Sequence, residues 1–176
     1  LKSKLYLFEK LLKKNSNVIT DSGILEYKKI KKISLRKKLN ISTISNYKSN
    51  LSLISHQYLE GKQISEVRYK NKIYKFQTSL VGKIQIKNIL MAMLAAEKSG
   101  LNFKQIINVI DKVKPVNGRL EKIGTIKNDS LVLLDYAHTP DALQTCLQNL
   151  KEQFKNKKIS IVFGCGGNRD QLKRLM

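Results

Sequence analysis

The pattern of hydrophobic and polar positions predicts one helix and then a series of short strands in the first half of the chain. Residues 4–14 have leucine and phenylalanine at helical spacing, and Asn15 follows them as a stop signal. Residues 17–20 form a short apolar run before a turn at 21–23, as a strand would. Residues 41–78 alternate between apolar and polar positions in short bursts, which predicts a small antiparallel meander.

Two consecutive helices are predicted after this meander. Residues 88–100 have almost no polar face before Glu97, so the helix that they form must be buried, and Gly100 suits its C-terminal cap. Residues 102–113 have an apolar stripe at helical spacing, and Asn102 is a favourable N-cap for this second helix.

A domain boundary is predicted directly after the second helix. The Lys-Pro pair at 114–115 ends the helix, and the Val-Asn-Gly segment at 116–118 is the best hinge in the sequence. We therefore expect one domain over residues 1–117 and a second over residues 118–176.

The second domain has the pattern of an α/β fold. Residues 119–126 and 130–136 are expected to pair as strands, and the continuous apolar run 131–134 is typical of a strand covered on both faces. Thr139, followed by proline and an acid, predicts a helix start. Residues 159–164 predict a second buried strand. Strand, helix and strand together indicate a parallel, right-handed crossover.

Ligands of such sheets bind beyond the carboxyl ends of the strands. Asp135 and His138 follow the first strand, and a glycine-rich segment with Arg169 and Lys173 close behind it follows the second. Glycines combined with cationic side chains form a plausible anion site. The residues alone thus predict a site for an anionic, nucleotide-like ligand, although the sequence contains no G-x-x-x-x-G-K-[ST] phosphate loop.

Each of these residues also has a purely structural interpretation. Asp135 could cap backbone amides at the strand end, and His138 could be an ordinary loop residue. Cys146 lies on the apolar stripe of its helix and is expected to be a small core residue. The glycines after the second strand could form only a tight turn.

Composition narrows the classes of partner. The chain has 34 Lys and Arg against 13 Asp and Glu, a net charge of +21, which raises the question of nucleic-acid binding. The basic residues are spread along the chain and are mostly lysine, whereas base recognition favours arginine. Even the densest cluster, 27–39, is interpreted as a solvated face. We expect neither a nucleic-acid partner nor a membrane, because no apolar run approaches about 18 residues. Cys146 and Cys165 have no metal or disulfide spacing, which favours a reducing cytoplasm.

Three segments resemble the Mur ligases, and among them the branch that adds the third residue of the peptidoglycan stem peptide. Residues 135–143, DYAHTPDAL, are nine consecutive residues in the pattern of that family. The family's GR-x-E motif matches residues 118–121, and residues 80–96 resemble its L-x-G-x-(F)-N-x-x-N-A-x-A-A segment. Gln85 stands where that segment has its first asparagine.

The resemblance implies an ATP-dependent amide-bond ligase that uses Mg²⁺ and forms an acyl phosphate. Its substrates would be UDP-N-acetylmuramoyl-L-alanyl-D-glutamate and a free amino acid, diaminopimelate or lysine. The chain would be an internal fragment, namely the tail of the central ATPase domain and the start of a Rossmann-like C-terminal domain. We expect such a fragment to be a cytoplasmic monomer without ligase activity of its own.

The resemblance also implies roles for individual residues. Asn88 would bind the adenine ring, although it could equally be the N-cap of its helix. Asp135 would bind the ribose hydroxyls, and His138 would shape the nucleotide pocket. Arg169 would contact the carboxylate of the incoming amino acid. The two residues expected at the ATP phosphates, and hence in catalysis, are Arg119 and Lys173.

Two other functions remain open. Folylpolyglutamate synthases and cyanophycin synthetases share the Asp-x-Ala-His start, but their pattern continues with Asn-Pro, whereas this chain has Thr139-Pro140. A non-catalytic basic binding module is the alternative from a different class, and steep loss of affinity with rising salt would identify it.

Overall fold

A computed structural model of the chain describes residues 2–59 and 61–164. The structure contains five α-helices and seven strands within these ranges. The helices are α1 (Lys2–Tyr6), α2 (Tyr27–Lys37), α3 (Ile84–Lys98), α4 (Phe103–Ile107) and α5 (Pro140–Gln153). The strands are β1 (Asn17–Asp21), β2 (Asn40–Ser45), β3 (Leu51–Leu59), β4 (Lys62–Tyr69), β5 (Lys72–Thr78), β6 (Glu121–Ile126) and β7 (Ser130–Leu134).

The first five strands form one mixed sheet in the order β1-β2-β3-β4-β5. β3, β4 and β5 pair antiparallel, as predicted for the meander. The prediction was wrong for β2, which pairs parallel with both β1 and β3. The chain passes through α2 between β1 and β2, and such a crossover returns the second strand in the same direction as the first.

The basic segment 27–39 forms α2 and the turn that follows it. Ile30 and Ile33 are buried, while four of the five lysines of the helix are exposed, as expected of a solvated face. The helix ends at Lys37, and its C-cap residue, Lys38, has a left-handed backbone with φ +56°. The charge of this segment therefore lies on the outer surface of a helix with an apolar inner stripe.

The main core lies between α3 and the sheet. Ile86, Leu90, Met93 and Leu94 on α3 are almost completely buried, which confirms the prediction of a buried helix. The stacked rings of Tyr69 and Phe103, with centroids 3.9 Å apart, extend this core. The helix begins four residues before the predicted start at 88, at Ile84.

The predicted helix 102–113 is interrupted. Asn102 is its N-cap, as predicted, and its side-chain oxygen accepts a hydrogen bond from the Lys104 amide at 2.9 Å. The α-helix ends at Ile107, however, and a separate 3₁₀ turn covers Ile110–Lys112. This break lets Ile110 pack against β5 as part of the core, whereas the predicted stripe position Val113 is exposed.

The second half of the chain departs further from the prediction. β6 and β7 pair antiparallel around a 3₁₀ turn at Lys127–Asp129, as predicted. The apolar run 131–134 is only partly covered, because β7 has no neighbour other than β6 among the described residues. Residues 159–164 form no strand, and Val162 and Phe163 are 99% and 67% exposed. The predicted parallel crossover is therefore not formed in the described part of the chain.

The helix after β7 begins as the sequence predicts. The Thr139 hydroxyl accepts a hydrogen bond from the Ala142 amide at 3.3 Å, and Pro140 occupies the first helical position. No helix among residues 2–59 and 61–164 is long and apolar enough to cross a membrane.

Candidate functional site

A cavity of about 820 Å³ lies between α3, the segment 113–120 and the first half of α5. Its volume is within the usual range for small-molecule sites, roughly 300–1,000 Å³. Aliphatic side chains from α3 and from the segment before β6 form one wall: Ile89, Ala92, Val113 and Val116. Polar groups line the rest, and among them are three of the residues singled out in the sequence, Asn88, Arg119 and Asp135.

Asn88 lies inside α3, four residues after the helix begins, so the interpretation of Asn88 as an N-cap was wrong. Its side-chain amide nitrogen donates a hydrogen bond to Gln85 Oε1 at 3.1 Å. The side chain is exposed to the cavity. The Asn88 side chain is therefore accessible to a ligand in the cavity.

Arg119 follows the predicted hinge and reaches the same cavity. Its backbone amide donates to the Val116 carbonyl at 3.0 Å, which closes a turn over residues 116–119. The guanidinium carbon lies 5.8 Å from the centroid of the Tyr136 ring, within the distance of a cation–π interaction. The guanidinium is otherwise exposed, and its charge is available to an anion at the cavity mouth.

Asp135 directly follows β7 and accepts two backbone hydrogen bonds. Its Oδ2 accepts from the Leu120 amide and its Oδ1 from the Ala137 amide, both at 2.9 Å. The structural interpretation of Asp135 as a cap of local amides is thus correct for these contacts. Each carboxylate oxygen can accept a further hydrogen bond, so the residue can also serve a ligand in the cavity that it lines.

His138 is not among the residues that line the cavity. Its Nδ1 lies 3.0 Å from the Tyr136 carbonyl oxygen, and the side chain is exposed. These contacts are those of an ordinary loop residue. A role in shaping the pocket, as the resemblance implies, could be only indirect, through the orientation of Tyr136.

Cys146 lines the cavity from α5 and is only half-buried, so it is not the core residue that was expected. Burial raises the pKa of its thiol, and the negative charge of Asp135 raises it further. The thiol is therefore neutral at physiological pH and forms an apolar part of the cavity wall. Arg169 and Lys173, the two remaining predicted site residues, lie outside the described residues.

Sequence reasoning missed a polar contact between α5 and the start of α3. Gln153 Oε1 accepts from the Gly82 amide at 2.7 Å, and Asn149 Oδ1 accepts from the Ile84 amide at 3.0 Å. The first amides of a helix have no partner within it. Asn149 supplies that partner for Ile84, the first residue of α3, and Gln153 binds the amide of Gly82, which comes just before the N-cap residue Lys83. The only signal in the sequence is a pair of amide side chains four residues apart, which is too common to be diagnostic.

Gly82, whose amide takes part in this contact, is expected to tolerate no larger residue without a loss of stability. It has φ +86°, and a Cβ there would lie 2.6 Å from Leu120 Cδ1 and 3.3 Å from Asn149 Cβ. We expect Gly82→Ala to lower the free energy of unfolding by about 2–3 kcal/mol, from backbone strain and overpacking together. Urea denaturation of the complete protein measures this value.

Gly100→Ala is the matched control for Gly82→Ala. Gly100 has a similar φ of +97°, but a Cβ at this position would have no other atom within 4 Å. The Gly100→Ala variant should therefore lose only the part of the unfolding free energy that is caused by backbone strain. Equal losses of stability for the two variants would show that close packing of Gly82 against Leu120 and Asn149 contributes nothing.

Gln85 joins two of the cavity residues. Its Oε1 accepts from Asn88 Nδ2 at 3.1 Å, and its Nε2 donates to the Arg119 carbonyl at 3.0 Å. The side chain is only 9% exposed. It thus connects α3 to the segment after the predicted hinge, and it lines the cavity next to Asn88.

Two family models match the chain. The model for the Mur ligase middle domain matches residues 1–96, and the model for the Mur ligase, glutamate ligase domain, matches residues 118–176.

Curated relatives match almost the whole chain. The UDP-N-acetylmuramoyl-L-alanyl-D-glutamate–2,6-diaminopimelate ligase of Rickettsia bellii is 37% identical over 175 residues, which are 99% of this chain and 36% of that protein. The enzyme of the same name from Rickettsia prowazekii is 34% identical over 178 residues, covering 100% of this chain and 36% of that protein. The chain thus spans about a third of the length of these relatives.

Solved structures share the fold. A UDP-N-acetylmuramoyl-L-alanyl-D-glutamate–2,6-diaminopimelate ligase superposes with a TM-score of 0.69 at 24% identity, over 98% of this chain and 35% of that one. MurF ligase from Thermotoga maritima in complex with ADP superposes with a TM-score of 0.71 at 20% identity, over 86% and 34%. These likenesses agree with the α/β fold predicted from the sequence.

Proposed function

The chain belongs to the Mur ligase family, and from this premise we propose that it forms the nucleotide-binding junction of an ATP-dependent ligase. The ligase would join diaminopimelate to UDP-N-acetylmuramoyl-L-alanyl-D-glutamate, the reaction named in its curated relatives. The chain would supply the end of the middle domain and the start of the C-terminal domain, with the boundary at residue 117.

The observation that supports this function is the convergence of three residues on one cavity. Asn88 comes from α3, Arg119 from the segment after the hinge, and Asp135 from the end of β7. These elements are far apart in the sequence, and the three side chains are those that the resemblance assigns to ATP. A cavity between two such segments is also a common location for a ligand.

The cavity fits the nucleoside part of ATP. Its aliphatic wall offers an apolar surface for a purine, and Asn88, next to Ile89 on α3, also lines the cavity. The Asp135 carboxylate is an acceptor suited to ribose hydroxyls. Arg119 and Lys114 are the cations that line the cavity and could meet the phosphates. When bound, ATP with Mg²⁺ supplies the phosphoryl group that activates the substrate carboxylate.

Nucleotide binding by the complete gene product tests this function. We expect ATP binding in isothermal titration calorimetry, and a loss of about ten- to a hundredfold in affinity for Arg119→Met, because a charge-assisted contact to phosphate is removed. Arg68→Met is the matched control, since Arg68 is exposed on β4 and does not line the cavity. Unchanged affinity in Arg119→Met would contradict the proposed site.

The substrate assignment needs a separate measurement. ADP release should require both UDP-N-acetylmuramoyl-L-alanyl-D-glutamate and diaminopimelate, and lysine should not replace the latter. ADP release with a folate and glutamate instead would favour the folylpolyglutamate-synthase alternative, whose known structures share this fold.

A further inference from the structure

We propose that Gln85 determines which purine the cavity accepts, by setting the orientation of the Asn88 side-chain amide. The inference rests on the proposed ATP site and adds a positioning residue to it. Gln85 is only 9% exposed and lines the inner part of the cavity next to Asn88. It hydrogen-bonds to the Asn88 side chain and to the Arg119 carbonyl. The proposed effect of Gln85 on the base passes through Asn88, and the variants described below test this step.

The orientation of Gln85 follows from its contact with the backbone. The Arg119 carbonyl oxygen can only accept a hydrogen bond, and the side-chain amide of Gln85 lies 3.0 Å from it. The NH₂ end of Gln85 must therefore face Arg119. A flipped amide would bring two oxygens together in a buried place and leave both unsatisfied.

The orientation of Asn88 follows in turn. With the NH₂ end of Gln85 toward Arg119, its Oε1 faces Asn88, and Oε1 can only accept. Asn88 must then direct its own NH₂ group to Gln85, as the 3.1 Å contact from Nδ2 indicates. Residues three apart on a helix lie on the same face, so this contact requires no distortion of α3.

An acceptor is thereby presented to the cavity. Asn88 Oδ1 accepts no hydrogen bond from the residues that the structure describes, and the side chain lines the cavity. An oxygen at this position pairs with an exocyclic amino group, the donor that adenine has at C6. It repels a 6-oxo group, which is another acceptor. The two successive hydrogen bonds, from Gln85 to the Arg119 carbonyl and from Asn88 to Gln85, thus favour a 6-aminopurine over a 6-oxopurine.

Inosine triphosphate is the probe that isolates this choice. It has the ribose and triphosphate of ATP but an oxygen at C6 and a proton at N1. We expect the complete wild-type protein to bind ATP at least about tenfold more tightly than inosine triphosphate, because two acceptor oxygens facing each other at the base leave both without a hydrogen bond. Competition against a fluorescent ADP analogue measures both affinities.

Two variants separate the steps of the argument. In Gln85→Met both hydrogen bonds are lost, Asn88 is free to flip its amide, and the ratio of the two affinities should fall to within about threefold of unity. In Gln85→Glu the side chain still accepts from Asn88, so the ratio should stay near that of the wild type. Its carboxylate faces the Arg119 carbonyl, and both nucleotides should bind more weakly.

Gln105→Met is the control for the substitution itself, because Gln105 is exposed on α4 and is remote from the cavity lining. A merely structural role for Gln85 would weaken both nucleotides equally and leave their ratio unchanged in Gln85→Met, and this result would overturn the inference. A wild-type protein that binds neither nucleotide would instead overturn the proposed function, and the inference with it.

Discussion

Replacing Asp135 with alanine is expected to lower the proposed ligase activity of the complete protein by about a hundredfold or more, and to destabilise the loop that follows β7. The carboxylate accepts from the amides of Leu120 and Ala137, both at 2.9 Å. Hydrogen bonds to a charged group contribute about 1.5–3 kcal/mol each, so losing the pair displaces the loop that lines the cavity. Any contact to the ribose is lost as well.

The backbone at Leu120 makes Asp135 harder to replace. Leu120 has φ +48°, a left-handed conformation that few residues other than glycine adopt without cost. Its amide is held by Asp135, so we expect Leu120 to leave this conformation in Asp135→Ala. Because the Arg119 carbonyl bonds to Gln85 and the Leu120 amide bonds to Asp135, that change would also move Arg119.

The activity is measured as ADP release at saturating substrates and again at limiting ATP. Asp135→Asn keeps one acceptor oxygen and should fall between wild type and Asp135→Ala. Asp111→Ala, at an exposed position in the 3₁₀ turn after α4, is the control. If Asp135→Ala kept more than about half of the wild-type activity, the proposed site at the end of β7 would be wrong.

The largest loss of stability is expected for Leu90→Ala. Leu90 is 2% exposed at the centre of the core between α3 and the sheet. Removing a buried leucine side chain costs about 3–5 kcal/mol, because apolar transfer energy is lost and a cavity remains. This is a large part of the total stability of a typical domain, about 5–15 kcal/mol. Urea denaturation followed by circular dichroism measures the difference.

Leu101→Ala is the matched control for that variant. Leu101 is 57% exposed just after α3, so its truncation should change the free energy of unfolding by less than about 0.5 kcal/mol. Activity in Leu90→Ala should fall with the folded fraction, because the same helix contains Gln85 and Asn88. Similar losses in the two leucine variants would mean that α3 is not packed on the sheet.

Local structure was predictable where neighbouring residues determine it. The caps at Asn102 and Thr139 depend on side chains that bond to amides two or three positions away, and both are formed. The buried character of α3 was evident from its lack of a polar face. The position of Asp135 at a strand end was also predictable, because the run 131–134 ends there.

Pairing between distant segments was not predictable in the same way. The parallel direction of β2 depends on α2 crossing between two strands, and an alternating pattern is the same for either direction. The apolar segments 131–134 and 159–164 resemble covered strands, but among the described residues only β6 pairs with β7. Hydrophobicity indicates that a strand should be buried, not which neighbour buries it.

For the site, the amino-acid pattern was enough to predict the family, the α/β character and the residue types that could bind a nucleotide. Which of these residues lie together depends on how the chain packs. Asn88, Arg119 and Asp135 line one cavity, whereas His138, which is in the same loop as Asp135, does not. The roles of Gln85 and Asn149 were likewise invisible in the sequence. Their hydrogen bonds join residues 34 and 65 positions apart, and contacts of that range arise only when the whole chain has packed.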